Sequence, residues 1–386
     1  MRFIFTKTDN IIAITSDIER TKMPVFTDKK SIYYNDVNLL SRPTALDPDN
    51  ELGALSRKKI PVELNRVYVS PMQAIVGIEM AQKANELGLG VCLHRFQSYD
   101  GNHRDWGSPQ GQIEIFKSLK DTSNVFVSVG LNDFERVEML AKAGVTNWLI
   151  DMANGYMHKA IGQAVKRIKE IAQIDNIMVG NVHTAEGVFN LASQLYNLNC
   201  PIHVRVGIAG GSPCATNDST GYNRGQITEI IECSEFCMFS TEVECRYIDE
   251  TVLQEICSAD VRIIADGGIK NSGYAAKAFG AGADAVIMGG YFVRAEEAET
   301  NLHGDGTYWG GASEKQQVIA QGKATRHSEG KEFKIDEEIL PLEKLVSDLW
   351  GGISSAVSYS GFSSLTDFIY NGYFEIKENS LPPRRK

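Results

Sequence analysis

The chain has 386 residues, of which 43% are hydrophobic and 23% charged, enough apolar content for a large core. Its formal net charge of -10 argues against a nucleic-acid partner. No run is long and apolar enough for a membrane span, and charges interrupt the start, "MRFIFTKTDNIIAITSDIER", where a signal peptide would need an apolar core. The seven cysteines (Cys92, Cys200, Cys214, Cys233, Cys237, Cys245, Cys257) are odd in number and irregular in spacing. That pattern fits reduced thiols in a cytoplasmic protein better than a disulfide framework. Cys233 and Cys237 are one helical turn apart but lack a second pair or a nearby His, so no metal site is expected there.

Residues 1–66 precede the regular pattern and include "YYNDVNLLSRPTALD". From Val67, short apolar runs ending in polar or glycine residues alternate with helical-period segments. The runs predict strands at 67–70, 90–94, 125–130, 146–151, 176–180, 202–208, 261–266 and 285–290. Between them lie amphipathic segments such as "GIEMAQKANELG", "FERVEMLAKAG" and "MHKAIGQAVKRIKEIA". The last spaces Ile161, Ala164, Ile168 and Ile171 at helical intervals. This alternation predicts a (β/α)8 TIM barrel in a single domain spanning 1–386, with the barrel over about 67–360. An open doubly wound sheet is the competitor, but no GxGxxG follows the first strand. Residues 291–341 are polar and charged, and are expected to form a mobile flap at the catalytic face before a last helix, "PLEKLVSDLWGGISSAVSY".

Active sites of such barrels lie at the C-terminal strand ends. Ser70-Pro71-Met72, His94-Arg95, Asp151 with "MANGY", Asn181, the loop "GGSPCATNDST", "ADGG" and "MGG" all fall there. Glycines in "ADGGI" and "GADAVIMGG" free backbone N–H groups to approach phosphate oxygens, and Asp266 suits ribose hydroxyls. A loop thiol beside such N–H groups can act as a nucleophile, although Cys214 alone reads equally as a small residue filling a turn.

Taken together, "GGSPCAT", "ADGGI", "GADAVIMGG", "DMANGY", "IMVGN", "YNDVNLLSRP" and "HSEGK" resemble the inosine monophosphate dehydrogenase and guanosine monophosphate reductase family over nearly the whole chain, in the family's order. The resemblance implies attack by Cys214 on C2 of a purine nucleotide, a covalent thioimidate, and hydride exchange between C2 and a nicotinamide. It also implies a homotetramer.

Three features resemble the reductase branch, which releases ammonia from GMP using NADPH. There is no room for a regulatory insertion after the second strand. The flap lacks an Arg-Tyr pair, the only one being Arg246-Tyr247 before the seventh strand. "ATRHSEGK" resembles the reductase flap, in which the Glu pairs with the Thr two residues after the cysteine. The chain also departs from the family pattern. Ala209 replaces a glycine of the cysteine loop, which puts a potassium site through the Gly211 and Cys214 carbonyls in doubt. Trp309-Gly310-Gly311-Ala312 stands for a Tyr-Gly-Met-Ser run, and Arg95 for a Lys.

The roles the resemblance implies are Cys214 as nucleophile and Thr216 with Glu329 as acid–base relay. Ser212, Asp266, Gly267, Gly268, Gly289, Gly290, Gly310 and Gly311 would hold the nucleotide, and Arg326, Ser328 and Gly330 would close over its base. Arg95, Asp151, Ala153, Asn154 and Gly207 would meet NADPH. IMP dehydrogenase activity, nucleotide binding without turnover, and a flavin barrel are the alternative readings.

Overall fold

Eight parallel strands close on themselves. They are β1 (Val67–Val69), β2 (Gly90–Leu93), β3 (Val125–Val129), β4 (Asn147–Ile150), β5 (Asn176–Val182), β6 (Ile202–Val206), β7 (Val261–Asp266) and β8 (Ala285–Met288). Closure is made by β8 on β1, with Val286 opposite Val67 and Met288 opposite Val69, so no edge is left unpaired. This computed structural model describes residues 31–41, 60–97, 108–152, 154–236, 249–321, 323, 328 and 330–377, together with the paired strands Ile4–Thr8 and Ile11–Thr15. Ala153, Arg326, Glu329 and the Arg246-Tyr247 pair lie outside the described residues.

Two-residue periodicity sorts the barrel's side chains. Tyr68, Cys92, Phe126, Leu149, Met178, Ile264, Ala285 and Ile287 form a separate buried cluster that fills the barrel. Their neighbours, such as Val67, Val91, Val127 and Val204, belong to the larger core beneath the helices. Each such apolar side chain contributes about 1.5–3 kcal/mol on burial. His203 joins the filling layer edge-on to Phe126, with ring centroids 5.0 Å apart.

The surrounding helices follow the predicted stripes. They are α1 (Ile78–Glu86), α2 (Gln110–Ser118), α3 (Phe134–Lys142), α4 (His158–Ile171), α5 (Ala185–Leu195), α6 (Gln226–Ser234), α7 (Glu250–Ser258), α8 (Ser272–Gly280) and α9 (Leu342–Tyr359). In α4 the buried residues are Ile161, Ala164, Val165 and Ile168, while Ile171 at the last turn stays partly exposed. No described helix is long and apolar enough to cross a membrane.

Two predicted strands end two residues early. β6 stops at Val206 because Gly207 has φ +137° and Ala209 φ +61°, angles that leave the extended region and turn the chain into the cysteine loop. β8 stops at Met288, and Gly289 and Gly290 belong to the turn beyond it.

Part of the excursion after β8 is a packed ribbon. Its strand Thr307–Trp309 pairs antiparallel with Glu332–Lys334. Tyr308 and Trp309 are buried, and the Trp309 indole N–H donates to Gln316 Oε1 at 3.1 Å. Exposed Glu332 and Lys334 on the second strand hide this packed ribbon from a composition-based reading.

Candidate active site

The cysteine loop begins where β6 meets β7. Gly207 lies so close to β7 that an added Cβ would stand 2.0 Å from the Asp266 carbonyl, which is why a glycine is needed there. The loop then turns back on itself, with the Cys214 N–H donating to the Gly211 carbonyl at 3.0 Å. Cys214 is half-buried, and its thiol donates to Thr216 Oγ1 at 3.1 Å. Thr216 opens the short helix Thr216–Thr220.

The end of the excursion docks on this loop. Cys214 and Gly330 form an antiparallel bridge, and the Lys331 N–H donates to the Pro213 carbonyl at 2.7 Å. The Lys331 ammonium pairs with Asp218 on the helix after the cysteine. Gly310 leaves room for this seam, since a Cβ there would lie 2.9 Å from the Pro213 carbonyl. Ser328 donates through its hydroxyl to the Ala312 carbonyl at 2.9 Å. Gly330 abuts Ser313, where a Cβ would stand 2.3 Å from the Ser313 nitrogen. Gly311, by contrast, borders open space. Ser328 and Gly330, the sequence neighbours of Glu329, therefore lie beside the cysteine loop.

The glycine turns after β7 and β8 converge on the same rim. Gly267 and Gly268 have φ +102° and +74°. A Cβ on Gly268 would lie 3.0 Å from the Gly210 carbonyl, and one on Gly267 3.3 Å from Gly210 and Gly211 backbone atoms. At Gly289 a Cβ would lie 2.7 Å from the Tyr308 hydroxyl, and at Gly290 3.8 Å from Ser212 Oγ. Ser212 itself is exposed. Backbone from three strand ends, Ser212 and Tyr308 thus meet at one rim, with glycine backbone of the kind that can approach a phosphate.

Three side-chain donors converge on one oxygen of Asp266. Arg205 Nε and an Arg205 terminal nitrogen each lie 2.8 Å from Oδ2, and Asn181 Nδ2 lies 2.9 Å from it. These bonds fix the carboxylate while leaving Oδ1 unused by them. Asn181 also donates to the Gly207 carbonyl at 2.9 Å. A second Arg205 terminal nitrogen, NH1, is buried with no partner. Arg205 was hidden inside an apolar strand. The available signal was parity, since it shares the inward phase of His203.

The opposite rim is built from charged side chains. Arg95 Nε lies 3.3 Å from Asp151 Oδ2, and its NH1 3.7 Å from Asp133 Oδ2. Two carboxylates therefore already balance the cation expected at a cofactor phosphate. Asn154 accepts the Tyr156 N–H at 3.0 Å and shapes the turn after β4, and the Gly155 N–H reaches the Asn181 carbonyl at 2.8 Å. His94, at the end of β2, is wholly inside. Burial lowers its pKa to about 4, and the neutral ring bonds the Val76 carbonyl and the Phe96 N–H.

Comparison with known proteins decides the family. The model of the IMP dehydrogenase / GMP reductase domain matches residues 31–380. The chain belongs to that family. It is 25% identical to a GMP reductase of Caenorhabditis elegans over 91% of this chain and 93% of the relative. It is also 25% identical to an inosine-5'-monophosphate dehydrogenase of Borreliella burgdorferi, over 93% of this chain and 97% of the relative. A GMP reductase of Citrobacter koseri is 29% identical over 78% of this chain and 80% of its own length. Both branches thus stand among the relatives at similar distance, and membership implies an oxidoreductase-type enzyme that binds a purine nucleotide. The similarity does not by itself place the chain nearer to the reductases.

Proposed function

We propose that this family member is a reductase of GMP or a closely related guanine nucleotide, converting it with NADPH to IMP and ammonia. The observation that carries the reading is the docking of Gly330 and Lys331 on the loop at Pro213 and Cys214, in a flap whose sequence has no Arg-Tyr pair to activate water. The nucleotide's phosphate rests on Ser212, Gly267, Gly268, Gly289 and Gly290, and its ribose on Asp266. Gly310, Gly311, Arg326, Ser328 and Gly330 enclose the base.

The Cys214 sulfur attacks C2 and the C2–N bond breaks. Thr216 and Glu329 deliver the proton that lets nitrogen leave as ammonia. The product of this step is a thioimidate on Cys214. Bound NADPH would supply hydride to C2; the C–S bond then breaks, with the Cys214 thiolate and IMP as products. Asp151, Ala153 and Asn154 flank the nicotinamide, with Gly207 at the back of the site. The half-exposed, polar edge around Asp151 and Asn154 fits such a ring, and Arg95 reaches a cofactor phosphate only by giving up one of its carboxylates.

A potassium ion fits less well. The Gly211 carbonyl already accepts the Cys214 N–H, which leaves it one lone pair for a cation, and no step here uses one. A homotetramer is the assembly that goes with this reading.

The test is a nucleotide screen with NADPH, followed by absorbance and product mass. Oxidation of NADPH with GMP, giving ammonia and IMP, is expected. Robust reduction of NAD with IMP to form xanthosine monophosphate would reverse the assignment. Nucleotide binding without any turnover would make the chain a binding protein.

A further inference from the structure

Helix α6 lies directly behind the nucleophile loop and carries an unusual residue for that position. Glu229 is 1% exposed. The backbone of Ile208, the second residue of the loop, acts on its carboxyl and favours the ionised form. Its Oε1 oxygen is buried with no partner. A carboxyl this deep and only half satisfied costs stability, and the hydrophobic surroundings would be served better by an apolar residue. Ile208, the loop residue that acts on it, stands one residue before Ala209, a non-glycine held at φ +61°.

The helix is itself firmly tied. Ile227 donates its N–H to the Ile32 carbonyl at 3.0 Å, and Thr228 Oγ1 accepts the Ile32 N–H at 2.8 Å. Arg224, just before the helix, donates to the His183 carbonyl at 2.7 Å and pairs with Glu232. Gln226, on the first turn, stands 3.0 Å from where a Gly210 side chain would begin.

We propose that Glu229 is a positioning residue for the nucleophile loop: its carboxyl, held on an anchored helix, grips the Ile208 N–H and fixes the turn that carries Cys214. This rests on the reading of Cys214 as nucleophile, but the grip itself can be tested without any substrate. The residue acts through the loop and touches no reacting atom.

The groups facing Glu229 decide how it titrates. Arg224 attracts the ionised form. Tyr34, from the N-terminal segment, and Cys233, one turn along α6, are both pushed up by burial and stay neutral. Asp266 acts on the same Tyr34 hydroxyl from β7, and Lys277 of α8 donates to the Tyr34 carbonyl at 2.9 Å. Burial outweighs the attraction of Arg224 and raises Glu229 to about 8. Its folded pKa is thus above its unfolded value, so its contribution to stability is complete below about pH 4.5 and is lost as pH rises through about 8. Ionisation nonetheless strengthens its bond to the Ile208 N–H.

Two variants separate grip from bulk. Glu229→Met keeps the volume and removes the acceptor. Glu229→Gln keeps an acceptor and cannot ionise. Hydrogen–deuterium exchange of the peptide spanning residues 207–215 should speed up by at least about tenfold in Glu229→Met at pH 6.5 and change little in Glu229→Gln, since one hydrogen bond is worth about a factor of ten. Above pH 8 the loop of Glu229→Gln should exchange faster than the wild-type loop, while its melting temperature exceeds the wild-type value by a margin that grows from pH 5 to pH 9. The kcat of Glu229→Met should fall by about 10- to 100-fold with nucleotide Kd unchanged, as expected for a misplaced nucleophile. Unchanged loop exchange in Glu229→Met, or a melting offset of Glu229→Gln that is flat with pH, overturns the proposal. If Glu229→Met does not fold, the two pH-dependent comparisons with Glu229→Gln decide it. If the wild type turns over no nucleotide, the proposed reaction fails while loop exchange still judges Glu229.

Discussion

The two rims of the barrel mouth recognise by different means. On the β6–β8 side the lining is mostly backbone, with Gly267 and Gly268 at positive φ and Gly210, Gly289 and Gly290 at close approach. On the β2–β4 side it is side-chain charge, with Arg95 set between Asp133 and Asp151. Backbone N–H groups held by turns need no reorganisation to meet a phosphate. A charged pair must be partly dismantled before either member meets a ligand. The glycine rim is accordingly suited to tight, unvarying contact and the charged rim to exchangeable contact, as the proposed reaction would require of a covalently held nucleotide and a cofactor that leaves each cycle.

The sharpest way to break this division is at its centre. Cys214→Ala should abolish turnover while calorimetry still shows nucleotide binding, because the proposed phosphate and ribose contacts come from β7 and β8. Substantial residual turnover would take Cys214 out of the reaction, and lost binding would make the loop part of the binding rim.

Next in size is the proton relay. Glu329→Gln should slow ammonia release by about 10²–10⁴-fold, the usual contribution of a general acid–base group. A nucleotide with a better leaving group at C2 should recover part of that loss in single-turnover assays. Near wild-type deamination would leave Glu329 only a closing role.

Gly268→Ala tests the backbone rim. A Cβ at φ +74°, 3.0 Å from the Gly210 carbonyl, strains the turn by about 1–3 kcal/mol. If that strain is relieved at the expense of the phosphate contacts, nucleotide Kd rises by roughly 5- to 150-fold with NADPH KM unaffected. Equal effects on both ligands would dissolve the contrast between the rims.

The smallest effect belongs to the charged rim. Asp133→Asn leaves Arg95 with one carboxylate instead of two. This half-exposed pair is worth about 0–1 kcal/mol, so NADPH KM should fall by only a few fold, with nucleotide binding constant. A rise in KM would place the cofactor phosphate away from Arg95.

Much of this was legible in the chain itself. All eight barrel strands were marked by short apolar runs, because a strand buried on both faces needs a continuous apolar run. The cysteine loop and the glycine turns stood out because a thiol and several glycine pairs fall together at successive strand ends. Ala209 at positive φ and the early end of β6 were not legible, since local preference favours continuing the strand.

What only the tertiary structure decided are the meetings of charges from distant strands. Arg205 and Asn181 orient Asp266 across 61 and 85 residues of sequence, and Arg95 finds Asp151 across 56. Nothing in the sequence singles out Glu229, which the fold buries on helix α6. The sequence by itself determined which segments become strands and helices and where the backbone turns, because those depend on local periodicity and steric freedom. Which charge is paired, which is gripped and which is left free depends on closure of the barrel, the single event that brings all eight strand ends to one mouth.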